Sequence, residues 1–157
     1  MTVEDLRLVQ GSWRDFRTFL DLERLCFGKD AWPWVDILSA LICPDTVRLK
    51  AVLDEKVVGF VIANRRGKNQ AGWIASIGVH PDARRQGVGS RLLQAAETAL
   101  QTDRVRLMVR ASNMDAQALY LQSGYGFIDE WLEYYRDGEN ALVMEKRLDL
   151  GIEGIDL

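Results

Sequence analysis

The sequence predicts a mixed α/β fold in which about four helices flank a central sheet of about seven strands. Apolar residues recur at helical spacing in four segments, and segments rich in β-branched residues account for the strands. Their order is β-α-α-β-β-β-α-β-α-β-β, which is typical of helices layered on one sheet. With 157 residues, 48% of them hydrophobic, the chain is long enough to bury one core. We therefore expect residues 1–157 to form a single domain, with a frayed tail from about Asp149.

The first third of the chain predicts one strand and two helices. Residues 3–9 alternate loosely and indicate a strand. Ser12 and Asp15 then form the pattern of a helix N-cap with its acidic partner, and the helix that follows ends near Gly28. A second helix is expected over residues 31–41, with a proline near its first turn.

The rest of the chain predicts a hairpin, a strand-loop-helix unit and a closing hairpin. The first hairpin is followed by a polar loop over residues 65–70, and the closing hairpin turns at Asp137-Gly138-Glu139. The expected elements are the strands Thr46–Leu53, Val57–Asn64 and Trp73–Val79, the helix Gly89–Gln101, the strand Arg104–Arg110, the helix Asn113–Ser123, and the strands Tyr125–Arg136 and Ala141–Leu148.

Composition argues against several classes of protein. The formal net charge is −3, from 20 basic and 23 acidic residues spread along the chain, so nucleic acid is not an expected partner. No apolar run reaches the roughly 20 residues that cross a bilayer. The N-terminal segment is too polar and acidic for a secretory signal, so we expect a cytoplasmic protein without a membrane partner.

The residue types that most often bind metals are sparse. Cys26 and Cys43 each stand beside apolar residues, outside any metal-binding spacing, and we expect both to be buried reduced thiols. His80 is the single histidine, and a structural role at a strand end is the expectation for it. The sequence therefore predicts no metal site.

A turn rich in glycine and arginine precedes the third helix. Gly87 and Gly89 allow a ligand to approach the backbone, and Arg84, Arg85 and Arg91 supply positive charge. A helix start offers unpaired N–H groups and the positive end of the helix dipole, so this combination suits a diphosphate. The segment has no Gly-Lys-Ser/Thr ending and no third glycine, so it is neither a Walker A loop nor a dinucleotide fingerprint.

The stretch Ile77–Leu93 resembles the coenzyme-binding motif of the GNAT superfamily of acetyltransferases, whose core is Gln/Arg-x-x-Gly-x-Gly/Ala. The resemblance implies the GNAT fold, with a mostly antiparallel mixed sheet, and acetyl-coenzyme A as cosubstrate. It also implies that Ile77, Gly78 and Val79 pair with the pantetheine arm. The remaining coenzyme-binding residues implied by the motif are Arg84, Arg85, Gln86, Gly87, Val88, Gly89 and Ser90.

A second motif extends the resemblance through Asn113, Tyr120 and the Gly124-Tyr125 pair. In the superfamily, the matching asparagine contacts the coenzyme and the tyrosine gives a proton to the departing thiolate. A phenol with a pKa of about 10 is neutral at pH 7 and can do this. From the residues alone, Asn113 is equally an N-cap and Tyr120 equally a core residue.

The segment Glu133–Met144 is similar to the Tyr-Tyr-x-x-Gly-Glu-x-Ala-x-x-Met pattern of RimI-type N-terminal acetyltransferases. Glu23–Phe27 with Pro33-Trp34 resembles their earlier pattern of Glu-x-x-x-Phe followed by Pro-Trp, with a longer gap between the two parts. By this resemblance, Phe27, Trp34, Tyr134 and Tyr135 border the first residues of the acceptor. Aromatic residues beside a sheet are also common core residues, and that alternative stays open.

The sequence departs from the RimI pattern at Met108, where those enzymes carry a glutamate that acts as general base. Glu23, Glu130 and Glu133 are alternative carboxylates, and the sequence does not choose among them. Neutralising an α-amine at pH 7 costs roughly 1 kcal/mol, against roughly 5 kcal/mol for a lysine. An N-terminal amine can therefore react with little help from a base.

Three functions remain open at the level of sequence. The first is acetyl transfer to the N-terminal α-amine of a protein or peptide by direct attack on the thioester. The second is acetyl transfer to a small-molecule amine, and the third is a non-catalytic acyl-coenzyme A-binding module, which Met108 makes credible. Either a monomer or a homodimer is expected.

Overall fold

The computed structural model describes residues 5–65 and 70–148. The expected tail from Asp149, most of the predicted polar loop and the first residues of the predicted first strand lie outside these ranges. In the described ranges, seven strands and four helices follow one another in the predicted order. The strands are β1 (Arg7–Gln10), β2 (Thr46–Leu53), β3 (Lys56–Arg65), β4 (Gly72–Val79), β5 (Arg104–Arg110), β6 (Gly126–Trp131) and β7 (Ala141–Arg147). The helices are α1 (Phe16–Phe27), α2 (Trp34–Ile42), α3 (Val88–Leu100) and α4 (Met114–Gln122).

The strands form one seven-stranded sheet in the order β1-β2-β3-β4-β5-β7-β6. The pairs β1/β2, β2/β3, β5/β7 and β6/β7 are antiparallel. The pair β4/β5 is parallel and joins Gly72 to Val105 and Trp73 to Arg106. The predicted mixed, mostly antiparallel sheet with four helices is therefore confirmed.

The chain divides into two compact units. The first unit comprises Met1–Asn64 and Ile74–Leu100, and the second comprises Arg65–Trp73 and Gln101–Leu157. The first unit thus holds α1, α2, α3 and most of β4, whereas the second holds β5, α4, β6 and β7. That the chain acts as a single domain stays a prediction.

Helix α1 begins as the sequence indicates, through a capping box. The Ser12 hydroxyl accepts from the backbone, and the backbone N–H of Ser12 donates to Asp15 Oδ2 at 2.8 Å. The box opens a short 3-10 turn at Trp13–Asp15, and α1 follows at once. Lys50 on β2 adds an ion pair to Asp15 at 2.7 Å, which fixes the start of the helix to the sheet.

The apolar faces of α1 and α2 pack on the sheet and form the core of the first unit. The rings of Phe19 and Phe60 meet with their centroids 5.3 Å apart. Burying a side chain of this size is worth about 1.5–3 kcal/mol. The cluster consists of Phe19, Leu20, Leu22, Ile37, Ala40, Leu41, Phe60 and Ile62.

The closing hairpin differs from its prediction. The expected strand Tyr125–Arg136 ends at Trp131, and residues 132–140 form a loop rather than a tight turn. Glu133 has a positive φ of 50°, and its N–H donates to Asn140 Oδ1 at 2.9 Å. A side chain therefore takes the bond that a ladder partner would have made, so the strand pairing stops.

Three smaller expectations also need correction. Helix α2 begins at Trp34 instead of residue 31, with Pro33 directly before its first turn, and α3 begins at Val88 instead of Gly89. Cys43 is exposed, because it follows the last turn of α2 at the surface, so the prediction of a buried thiol is wrong there. Cys26 is partly buried, and both cysteines are free. None of the helices in the described ranges is long and apolar enough to span a bilayer.

Glu23 is a carboxyl on α1 that is only 1% exposed. Its Oε2 accepts from Ser76 Oγ on β4 at 2.7 Å, and its Oε1 accepts from the Trp32 N–H before α2 at 3.1 Å. Burial raises the pKa of Glu23, and the two hydrogen bonds only partly oppose this. One buried carboxyl thus joins α1, the approach to α2 and the sheet.

We predict that Glu23→Gln makes stability less dependent on pH. Because the folded pKa is raised, the folded chain holds this proton more tightly than the unfolded chain does. Protonated Glu23 makes its full contribution to the free energy of unfolding below the unfolded pKa of about 4.3. This contribution is lost as pH rises through the folded pKa. In urea unfolding from pH 4 to 8, the free energy of unfolding should show this loss with rising pH in the parent and not in Glu23→Gln.

Glu55→Gln is the matched control, since that side chain is 89% exposed. Glu23→Ala should cost about 1–3 kcal/mol at pH 4, because it leaves the Ser76 hydroxyl and the Trp32 N–H without their acceptor. Identical pH profiles for the parent and Glu23→Gln would contradict the assignment.

Candidate functional site

The turn between β4 and α3 carries most of the residues predicted to bind a coenzyme. A 3-10 turn at Pro81–Ala83 follows β4, and His80 Nδ1 caps it by accepting from the Asp82 N–H at 3.1 Å. The Arg84 Nε–H then donates to the carbonyl of Val79 at 3.0 Å. The structure therefore joins Arg84 to the end of the predicted pantetheine strand.

The backbone before α3 has a left-handed conformation at two residues. Arg85 has a φ of 61° and Gly87 a φ of 80°, and nothing lies within 4 Å of the position that a Gly87 Cβ would occupy. The first helical bond runs from the Arg91 N–H to the Gly87 carbonyl at 3.1 Å. The N–H groups of Val88 to Ser90 precede that bond and have no partner inside the helix.

The residues of this turn differ in how far they are exposed to solvent. Val88 is buried and fixes the first turn of α3. The exposed residues are Arg84, Arg85, Gln86, Gly87 and Ser90, and Gly89 is half-buried. A helix start with free N–H groups, exposed guanidinium groups and an open glycine fits a diphosphate.

The strand segment before the turn packs tightly against α1. A Cβ on Gly78 would lie 3.0 Å from Cys26 Sγ and 3.0 Å from the Phe60 ring, so no larger residue fits there. The Cys26 thiol donates to the Val79 carbonyl at 3.5 Å. Ile77 and Val79 are half-buried on the other side of the strand. Close contact with α1 thus fixes the backbone of the predicted pantetheine segment.

The second unit holds the other two predicted coenzyme residues, on α4. Asn113 Oδ1 accepts from the Ala116 N–H at 3.2 Å, so Asn113 is the N-cap of this helix. Tyr120 is 7% exposed, and burial, with a smaller effect of Tyr135, raises the pKa of its phenol to about 12. Tyr120 therefore stays neutral across the physiological pH range.

The predicted acceptor residues Tyr134 and Tyr135 lie next to each other in the β6–β7 loop. Their rings meet edge to face with centroids 5.2 Å apart, and Tyr134 also contacts Trp131 at 5.6 Å. Trp131 continues the contact to Trp73, at 6.4 Å. The side chain of Tyr134 is 49% exposed at the end of this aromatic row.

The other two predicted acceptor residues belong to the first unit. Phe27, the last residue of α1, packs partly buried against the apolar cluster. Trp34 opens α2 and is 57% exposed. Of this pair, Trp34 is thus the one with a large surface available to a ligand.

Charged residues that the sequence did not single out hold the β6–β7 loop. The Arg110 Nη1–H groups donate to both oxygens of Asp137, at 3.1 and 3.0 Å, and to Glu139 Oε1 at 2.9 Å. Glu139 Oε2 accepts from the Ser112 hydroxyl and N–H, and these bonds lower the pKa of Glu139. No local pattern shows such pairs, because the partners are 27 or more residues apart.

Gln117 is a further residue that the sequence did not reveal. It is 7% exposed, and its Nε2 donates to the carbonyls of Arg110 and Ala111 at 3.1 and 2.9 Å. A buried glutamine in a helix gives no signal in hydrophobic periodicity. Here it ties α4 to the end of β5.

The candidate carboxylates differ in their surroundings. Glu23 is buried and hydrogen-bonded, whereas Glu130 and Glu133 are exposed, and Glu130 accepts from the Asn140 amide at 3.0 Å. Met108 is half-buried on β5 opposite Val143. In the part of the chain that the structure describes, no group of three His, Cys, Asp or Glu side chains is placed to hold a metal ion.

Comparison with known proteins identifies the family. The chain matches the Acetyltransferase (GNAT) family over residues 13–127. It is 39% identical over 155 residues to an N-alpha-acetyltransferase of Sulfurisphaera tokodaii, spanning 90% of this chain and 92% of that protein. It is 29% identical over 136 residues to the N-alpha-acetyltransferase RimI of Mycobacterium tuberculosis, spanning 84% and 86%.

Among solved structures, the ribosomal-protein-S18-alanine N-acetyltransferase from Escherichia coli superposes with a TM-score of 0.84 at 24% identity. The superposition spans 97% of this chain and 98% of that one, and it confirms the fold. The match over residues 13–127 covers well over half of the sequence. This chain therefore belongs to the GNAT family of acetyltransferases and is an acyltransferase enzyme.

Proposed function

We propose that the protein is an acetyl-coenzyme A-dependent N-acetyltransferase that acetylates the N-terminal α-amine of a protein or peptide, with residues 1–157 acting as one catalytic domain. The observation that carries the proposal is the turn before α3. There, exposed Arg84 and Arg85 accompany the free N–H groups of a helix start and the open, left-handed Gly87. This set of groups suits the diphosphate of coenzyme A.

Each residue has a defined part in this proposal. Arg84, Arg85 and the N–H groups of Val88 to Ser90 neutralise and orient the diphosphate. Bound acetyl-coenzyme A supplies the activated thioester, and Ile77 to Val79 position its arm through their backbone. Tyr120 donates its phenolic proton to the departing sulfur, and its pKa of about 12 keeps that proton in place at neutral pH.

Two observations favour an α-amine as the acceptor. Proteins of similar sequence are N-alpha-acetyltransferases. Met108 cannot accept a proton, and an α-amine, with a pKa of about 8, needs far less help to lose one than a lysine does. Acceptors of low amine pKa are therefore the ones this residue set can serve.

The coenzyme site is tested by Gly87→Ala. Alanine at a φ of 80° is strained by roughly 1 kcal/mol or more, and relief of that strain moves the N–H groups at the start of α3. We expect calorimetry to show acetyl-coenzyme A binding weakened by about tenfold, which corresponds to about 1.4 kcal/mol.

Gly28→Ala is the control for strain alone. Gly28 also has a positive φ, of 52°, with nothing within 4 Å of an added Cβ, but it ends α1. The affinity of Gly28→Ala for the coenzyme should equal that of the parent. Equal affinity in Gly87→Ala would remove the turn from the coenzyme site.

The acceptor is tested with matched peptides. One peptide carries a free α-amine and an acetylated lysine, and its partner carries a blocked N-terminus and a free lysine. We expect release of free thiol only with the first peptide. Because the neutral amine reacts, kcat/KM should rise with pH up to about 8 and then level off.

Two other results would each replace the proposal. Turnover of small amines without any peptide activity identifies a small-molecule acetyltransferase. Coenzyme binding without turnover of any amine identifies a non-catalytic module.

The proton donor is tested by Tyr120→Phe. Removing a general acid should lower kcat by about a hundredfold while coenzyme affinity stays the same. Tyr125→Phe is the matched control, because Tyr125 is also buried and its ring centroid lies 6.1 Å from that of Tyr120. A parental kcat in Tyr120→Phe would show that the proton reaches the sulfur from elsewhere.

A further inference from the structure

The β6–β7 loop, residues 132–140, has exposed apolar side chains and hydrogen bonds within its own backbone. Leu132 is 73% exposed and Tyr134 is 49% exposed, so burial of apolar side chains does little to hold these residues in place. Backbone bonds inside the loop join the Gly138 N–H to the Tyr135 carbonyl and the Tyr135 N–H to the Glu139 carbonyl. A loop with so little buried apolar surface needs other contacts to keep one conformation.

Arg110 supplies these contacts from the end of β5. Its side chain is only 15% exposed, and its guanidinium group bonds Asp137 and Glu139 at opposite sides of the tip of the loop. The guanidinium carbon also lies 4.0 Å from the centroid of the Tyr135 ring. One planar cation thus contacts two carboxylates and one aromatic face.

Glu139 also connects the β6–β7 loop to the start of helix α4. Its second oxygen accepts from the Ser112 N–H at 2.9 Å and from the Ser112 hydroxyl at 2.6 Å. Ser112 directly precedes Asn113, the N-cap of the helix that holds Tyr120. Residues 137–139 of the loop are therefore tied both to Arg110 at the end of β5 and to Ser112 just before α4.

We propose that Arg110 is a positioning residue that holds Tyr134 and Tyr135 of the β6–β7 loop in the conformation that receives the acceptor amine. This inference rests on the proposed function. Arg110 acts through the loop: it stacks on Tyr135, and Tyr135 in turn contacts Tyr134 edge to face. Loss of Arg110 therefore releases the acceptor side and leaves the coenzyme turn intact.

The experiment compares Arg110→Met with Arg106→Met in the full-length chain. Arg106 lies two residues earlier on β5 and also forms an ion pair, with Glu145 on β7 at 2.7 Å, but that pair joins two strands. We measure KM and kcat for the free α-amine peptide, coenzyme affinity by calorimetry, the melting temperature, and hydrogen exchange of the loop amides.

Arg110→Met should raise the acceptor KM by about tenfold, equivalent to about 1.4 kcal/mol, with a smaller change in kcat and unchanged coenzyme affinity. Exchange of the Tyr135 and Gly138 amides should become faster. Arg106→Met should leave both the acceptor KM and loop exchange at the parental values. Arg110→Lys should also raise the acceptor KM, because the ammonium group can keep an ion pair but lacks the planar group that lies 4.0 Å from the centroid of the Tyr135 ring.

A merely structural role gives a different result. It lowers the melting temperature in both arginine variants without a selective rise in acceptor KM, and that outcome overturns the proposal. If Arg110→Met does not fold, the double variant Asp137→Asn/Glu139→Gln removes both carboxylates that Arg110 bonds while keeping the arginine, and a parental acceptor KM in that variant also overturns it.

Failure of the proposed function is distinguishable from failure of this inference. If the parent acetylates no amine, the proposed function is wrong and the exchange measurement alone decides whether Arg110 fixes the loop. Unchanged exchange in Arg110→Met then overturns the inference as well. Faster exchange that is confined to the loop supports it.

Discussion

Helix α3 starts with N–H groups that have no partner inside the helix, and the preceding turn surrounds them with positive charge. The left-handed conformations of Arg85 and Gly87 create this arrangement, and buried Val88 holds the helix against the sheet. Arg84 is tied back to the end of β4 through the Val79 carbonyl. An anion bound here gains from the helix dipole and from the guanidinium groups together, so the rest of the proposed chemistry depends on this turn.

Proton transfer is the second constraint on the reaction. Carboxylates that extend from β7 and the loop toward β5 are already paired: Glu145 with Arg106, and Asp137 and Glu139 with Arg110. The bonds from Ser112 and Arg110 lower the pKa of Glu139, which makes it a weaker base. With methionine at the position of the glutamate of RimI-type enzymes, the proposed acceptor is an amine that loses its proton easily.

Burial of Tyr120 suits both its proposed role as proton donor and its packing in the fold. An apolar environment raises the pKa of the phenol, which keeps it protonated, and it also lets the ring pack beside Tyr125. The two interpretations that the sequence left open for this residue are therefore compatible. Tyr135 contributes to the same pKa from the loop that Arg110 contacts, so the loop, α4 and the proposed proton donor belong to one connected part of the second unit.

The order of the elements and the capping box at Ser12 were determined by the sequence alone, because local spacing and backbone preference specify them. Tertiary structure decided the rest. Strand β6 ends at Trp131 because the side chain of Asn140 replaces a ladder bond, and Cys43 is exposed because of where α2 ends. The role of Arg110 comes from partners 27 and 29 residues away, and only folding brings such charges together.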